Sequence, residues 1–194
     1  MREDLIFELY KKNQSVFSLK ELSLLFPQFS YKNLKRRLSY YVKSRKLERL
    51  RKGIYAKEQF NYFEFANKIY LPSYISLETV LEREGIIFQK YKVIFVISYL
   101  TRKIALGEQE IFYRKIKDSV LLSNVGIQKE NYYSIATKER AFLDAIFLYR
   151  NYHFDNLKPL DWQKVNEIKK IFRSLTLDKR VEQYYQIFKK EYAG

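Results

Sequence analysis

The stretch SYKNLKRRLSYYVKSRKLERLRKGIY, residues 30–55, decides how this chain is read. Ser30 stands where a hydroxyl caps a helix, and Leu34, Leu38, Tyr41 and Val42 recur at the spacing of a single helix face. Tyr31, Lys32, Lys35, Arg36, Ser39 and Lys43 then fall mainly on the opposite face, the one a major groove would meet. Beyond the helix, Leu47 and Leu50, a turn at Gly53, and Ile54 and Tyr55 predict a two-stranded hairpin. Its Arg49, Arg51 and Lys52 are placed to reach an adjacent phosphate backbone.

Residues 31–52 carry ten Lys or Arg against one acid, Glu48, so most of the net charge of +15 lies here. Phosphate neutralisation is the commonest use of such density, because each contact releases condensed counterions. A solvated helix face would also tolerate it. The surroundings favour DNA. Leu5, Ile6, Leu9 and Tyr10 predict a first helix running to about Lys12. Ser18-Leu19-Lys20-Glu21 is a capping box that opens a short second helix, which ends before Pro27. Helix, helix-turn-helix and hairpin together predict a winged helix-turn-helix DNA-binding domain over residues 1–57.

The chain has 194 residues, 47% hydrophobic and 18% aromatic, ample for packed cores. It contains no apolar run of membrane-spanning length and no signal-peptide pattern at MREDLIFELYKK, so a soluble cytoplasmic protein without membrane partners is expected. With no Cys, disulfides, thiolate metal sites and cysteine nucleophiles are excluded. The single histidine, His153, sits in the loop-like RNYHFDN, where it reads as a surface or capping residue. Neither a cofactor nor a metal is expected.

Residues 58–194 are predicted to form an α+β domain, a small mainly antiparallel sheet flanked by helices. Phe60, Phe63, Phe65, Ile69 and Tyr70 suggest a helix stopped by Pro72, and Ser76 is expected to cap another ending at Gly85. VIFVIS (93–98), KIAL (103–106), EIFYRKI (110–116) and YYSIA (132–136) read as strands. Thr137 caps KERAFLDAIFLYR, and two further helices are expected near 161–175 and 178–192.

Three segments in this order carry a resemblance. They are Lys52-Gly53-Ile54-Tyr55 at the wing; Pro72 to Leu81, PSYISLETVL, with Gly85 after it; and Ala136, Glu139, Arg140, Ala141 and Asp144 in ATKERAFLD. The chain resembles the antitoxin family of the AbiE abortive-infection systems, the type IV toxin-antitoxin group, over most of residues 18–149. The resemblance does not extend to the last 45 residues. The resemblance implies an N-terminal domain that binds inverted repeats in its own promoter and represses the operon. It also implies a C-terminal domain that counters a co-encoded nucleotidyltransferase-type toxin, with no stable complex required. A monomer or weak dimer is expected, with room for cooperative binding on DNA.

The candidate residues of the antitoxin domain are Ser76, Glu78, Arg140 and Asp144. All four also have a local reading: Ser76 and Glu78 as first-turn capping groups, and Arg140 with Asp144 as an i, i+4 pair. An enzyme is the competing class. Five isolated glycines build no phosphate cradle, so catalytic residues are not expected. Only a carboxylate-and-lysine nuclease on Glu108, Glu110 and Lys115 survives that test. A third reading is a winged-helix regulator, without toxin partner, whose second domain senses a ligand or dimerises.

Overall fold

The structure, a computed structural model, describes residues 5–192. The chain is α+β, with two sheets in two compact units, 1–70 and 71–194.

In the first unit, α1 (Leu5–Lys11) leads into β1 (Val16–Ser18), α2 (Leu19–Leu25), α3 (Tyr31–Lys43), β2 (Glu48–Arg51), β3 (Ile54–Ala56) and α4 (Tyr62–Ile69). The capping box forms as expected: Ser18 Oγ accepts from Glu21 N at 3.1 Å, and Glu21 Oε2 accepts from Ser18 N at 3.4 Å. The same Ser18 ends β1, a strand not anticipated. Its three residues are too few to display a period, and only β3, to which it pairs antiparallel, makes it a strand. The sheet order is β1-β3-β2, with Phe17 opposite Tyr55. Phe17, Leu22, Leu34, Leu38, Tyr41, Leu47 and Tyr55 close one core with Leu5 and Leu9.

The unit extends past the charge break expected at residue 57, because α4 is tied to its strands. Glu64 Oε2 accepts from the backbone N–H groups of Ser15 (2.8 Å) and Val16 (2.9 Å), and Lys68 Nζ pairs with Glu21 at 2.6 Å.

In the second unit, β4 (Ser73–Ile75), α5 (Glu78–Arg83), β5 (Val93–Ser98), β6 (Arg102–Leu106), β7 (Gln109–Lys115), α6 (Asp118–Leu121), β8 (Ile127–Glu130) and β9 (Tyr133–Ala136) precede α7 (Lys138–Leu148), α8 (Trp162–Ile168) and α9 (Leu175–Tyr192). The sheet is larger than expected and mixed, ordered β6-β7-β5-β4-β9-β8. Its outer pairings are antiparallel, but β5 runs parallel to β7 and β4 parallel to β9. The β6–β7 hairpin folds so that its second strand lies beside β5. Every residue from Ile94 to Ser98 is buried, the unbroken apolar texture of a strand covered on both faces.

Two helix boundaries move. Ser76 caps nothing, since Leu77 precedes α5 with φ 56° and no side-chain cap bond. The helix expected over 161–175 runs only to Ile168, passes through a 3-10 turn (Lys169–Phe172) and stops at Arg173 in the left-handed region, φ 48°. Ser174 Oγ then accepts from Leu177 N at 3.3 Å and opens α9 earlier than expected.

Candidate nucleic-acid interface and a buried polar cluster

Helix α3 begins where Ser30 Oγ accepts from Asn33 N at 3.3 Å. Leu34 and Leu38 are fully buried and Tyr41 nearly so, while Val42 is half-buried. Turning those positions inward leaves Tyr31, Lys32, Lys35, Arg36, Ser39 and Lys43 all exposed. Ser39 Oγ donates to Lys35 O at 2.9 Å, so the hydroxyl keeps its acceptor lone pairs for an outside donor. Arg36 Nη2 rests 3.4 Å from Asn33 Oδ1, and Arg37 lies 4.7 Å from the centre of the Phe29 ring.

In the hairpin, Arg49 stands opposite Tyr55 and Arg51 opposite Ile54, with a register shift between the two arginines. Gly53, at φ 79°, makes the turn, and Arg49, Arg51 and Lys52 are exposed. Burial raises the pKa of the Tyr55 hydroxyl, the Arg49 guanidinium lowers it and Tyr31 raises it. Among the described residues no carboxylate forms an ion pair with Lys32, Lys35, Arg36, Lys43, Arg49, Arg51 or Lys52. Tyr40, left out of the sequence reading, is 61% exposed on the same side of α3. Its place one turn beyond Arg36 and three residues before Lys43 was the available signal.

Ser76, Arg140 and Asp144 come together in the second unit, and all three are wholly inaccessible to solvent. Thr137 caps α7 by accepting from Arg140 N at 3.3 Å. One turn of that helix then brings Arg140 Nε to 3.1 Å from Asp144 Oδ1. Ser76 Oγ donates to Asp144 Oδ2 at 2.8 Å and Tyr74 Oη donates to Oδ1 at 3.2 Å. Arg140 also donates to Tyr74 Oη (2.6 Å), Val120 O (2.9 Å) and Val125 O (2.7 Å). Burial pushes the Asp144 carboxyl up against the opposing pull of Arg140. Burial alone would lower the guanidinium pKa, but Asp144 and Tyr74 hold it above its ordinary value. With each of its polar side-chain atoms bonded inside the protein and none reached by solvent, this cluster braces α7 to β4 and the loop around α6.

Glu78 lies in a different group. It is 6% exposed, the hydroxyls of Tyr149 and Tyr152 act on its carboxyl group to oppose the effect of burial, and its Oε2 has no partner. Arg114 Nη1 donates to Tyr149 Oη at 3.0 Å. Burial raises the Glu78 carboxyl, and burial beside that carboxylate raises both tyrosine hydroxyls.

Glu108 follows the turn at Gly107, while Glu110 and Lys115 are exposed on β7. Among the described residues no set of three or more His, Asp or Glu is placed to hold a metal ion. His153 is 88% exposed, 3.7 Å from Asp155. No described helix is long and apolar enough to cross a membrane.

Compared with known families and proteins, the chain matches no family model and no curated protein.

Proposed function

We propose that the first unit is a winged helix-turn-helix that docks α3 in the major groove of duplex DNA and lays the β2–β3 hairpin on the flanking backbone. The observation that carries this reading is the division of α3. Leu34, Leu38 and Tyr41 point into the core, while an exposed row of Lys32, Lys35, Arg36 and Lys43, joined by Arg49, Arg51 and Lys52, has no carboxylate partner. Cations left unpaired on a helix face beside an edge strand suit phosphates on either side of a groove.

The resemblance of the wing, the PSYISLETVL segment and ATKERAFLD to the AbiE antitoxins extends the proposal. On that reading the chain represses its own operon through inverted repeats and opposes a nucleotidyltransferase-type toxin encoded beside it. An alternative is a regulator whose second unit senses a ligand. A cleft of about 720 Å³ between residues 151–157 and α9, lined by Tyr152, Phe154, Tyr184 and Ile187, favours it.

Two experiments test the readings. The full chain should retard a duplex taken from upstream of its own gene, and affinity should fall on the order of a thousandfold between about 50 and 200 mM salt if roughly six phosphates are neutralised. Salt-independent or absent binding would overturn the DNA reading. Co-expression with the adjacent gene should restore growth if that gene encodes a toxin. Growth that stays arrested removes the antitoxin role and leaves the regulator.

A further inference from the structure

Residues 88–117 hold seven Lys or Arg against two Glu, whereas the rest of 71–194 is near balance, fourteen against thirteen. The excess charge of the second unit is thus confined to the β5–β7 segment. The strand register puts part of it on one face. Lys103 of β6 stands opposite Phe112 of β7, and Phe95 of β5 aligns with the same ring. Residues two apart share a face, so Arg114 joins Phe112.

The contacts on that face interleave rings and cations. Lys103 Nζ lies 5.0 Å and the Arg114 guanidinium 5.3 Å from the Phe112 ring centre, and Phe95 is 6.1 Å from it. Arg114 also covers Tyr149 at 4.9 Å, and Tyr149 stacks on Tyr152 at 5.3 Å with 22° between the ring planes. Lys103 is exposed, and Phe112, Arg114, Tyr149 and Tyr152 are partly exposed. Next to the tyrosines lies the unpartnered Oε2 of Glu78, a buried acceptor with no donor of its own.

From this arrangement we infer that the β6–β7 end of the sheet, with Tyr149 and Tyr152, is a second binding site, one for unpaired nucleotides. A base stacks on Phe112 or on the tyrosine pair, which favours no particular sequence because every base has a π face. Lys103 and Arg114 meet the phosphates on either side. A duplex does not fit this chemistry, since its bases are stacked on one another and cannot reach protein rings. The site is separate from α3 and its hairpin, so it stands whether or not those bind an operator.

The test is fluorescence anisotropy of the full chain with labelled single strands of RNA and of DNA, about 15 nucleotides long, the span of a groove of this kind. Wild type should bind at low salt. Phe112→Ala and Lys103→Glu should each weaken binding about tenfold, on the scale of one lost stacking or phosphate contact. A variant carrying both Arg51→Ala and Lys52→Ala should bind single strands as wild type does. Lys103 is exposed, so Lys103→Glu reports on the site even if Phe112→Ala unfolds the sheet. Binding to RNA, to DNA or to both supports the site and names its source. Binding to neither overturns it, as does binding unchanged by Lys103→Glu or lost in the hairpin variant.

Discussion

Arg140 Nε lies 3.1 Å from Asp144 Oδ1, and neither side chain has any solvent exposure. An ion pair so placed gives little net stability over an apolar replacement, yet breaking it strands a charge. Asp144→Ala and Arg140→Met should each cost about 3–5 kcal/mol. The double variant should cost less than the sum, because the second substitution removes the charge stranded by the first. Urea unfolding of the four proteins measures that coupling. Additive costs would mean the two residues act through their other partners, Tyr74, Ser76 and the carbonyls of Val120 and Val125.

Gly126 supports the same cluster from outside. Its φ is +74°, and a Cβ there would lie 2.8 Å from Arg140 Cβ and 3.1 Å from Ile168 Cδ1. Gly107, at φ +58°, has open space around it. Gly126→Ala should therefore cost about 2–4 kcal/mol, left-handed strain plus overpacking, and Gly107→Ala about 1–2 kcal/mol from strain alone. Thermal unfolding of the two variants side by side checks the difference.

These two sites show what the sequence made legible. The caps at Ser18, Ser30 and Thr137 were readable because each bond spans three residues. The apolar stripe of α3 was readable because its period is local. The Arg140–Asp144 pair was readable as an i, i+4 contact, but its immersion was not: Tyr74 and Ser76 lie 66 and 68 residues from the groups they bond. The same limit hid β1, β4 and β8, short strands that exist only through their partners. It also hid the parallel pairing of β5 with β7, which depends on where the β6–β7 hairpin docks rather than on any residue within it. Glu78 was read as a helix-start carboxylate, and its tyrosine neighbours, some seventy positions away, were invisible.

On the DNA side, Arg51→Ala and Lys52→Ala should weaken binding to every duplex alike and reduce the salt slope by about one unit each. Arg36, on the outer face of α3, should behave differently. If it forms a bidentate guanine contact, Arg36→Ala should lose about 1–3 kcal/mol on the preferred sequence only. Titration of specific and scrambled duplexes at several salt concentrations separates the two effects. A uniform loss for all three variants would place Arg36 on the backbone too.

Glu78 gives a pH-dependent prediction whose sign follows from its burial. Its carboxyl pKa is raised in the folded protein, chiefly by desolvation, with Tyr149, Arg114 and Tyr152 pulling the other way. A carboxyl raised on folding contributes stability below its unfolded pKa and loses that contribution as pH rises through the folded value. The folded state holds that carboxyl buried with one oxygen unpartnered. Glu78→Gln removes the ionisable group while keeping the shape. The variant should melt higher than wild type at neutral pH, and the gap should close as pH falls through the carboxyl range. Melting curves from pH 4 to 8 measure it. A gap that is constant across that range would show that ionisation of Glu78 is not what sets its cost, and that Oε2 finds a donor in solution.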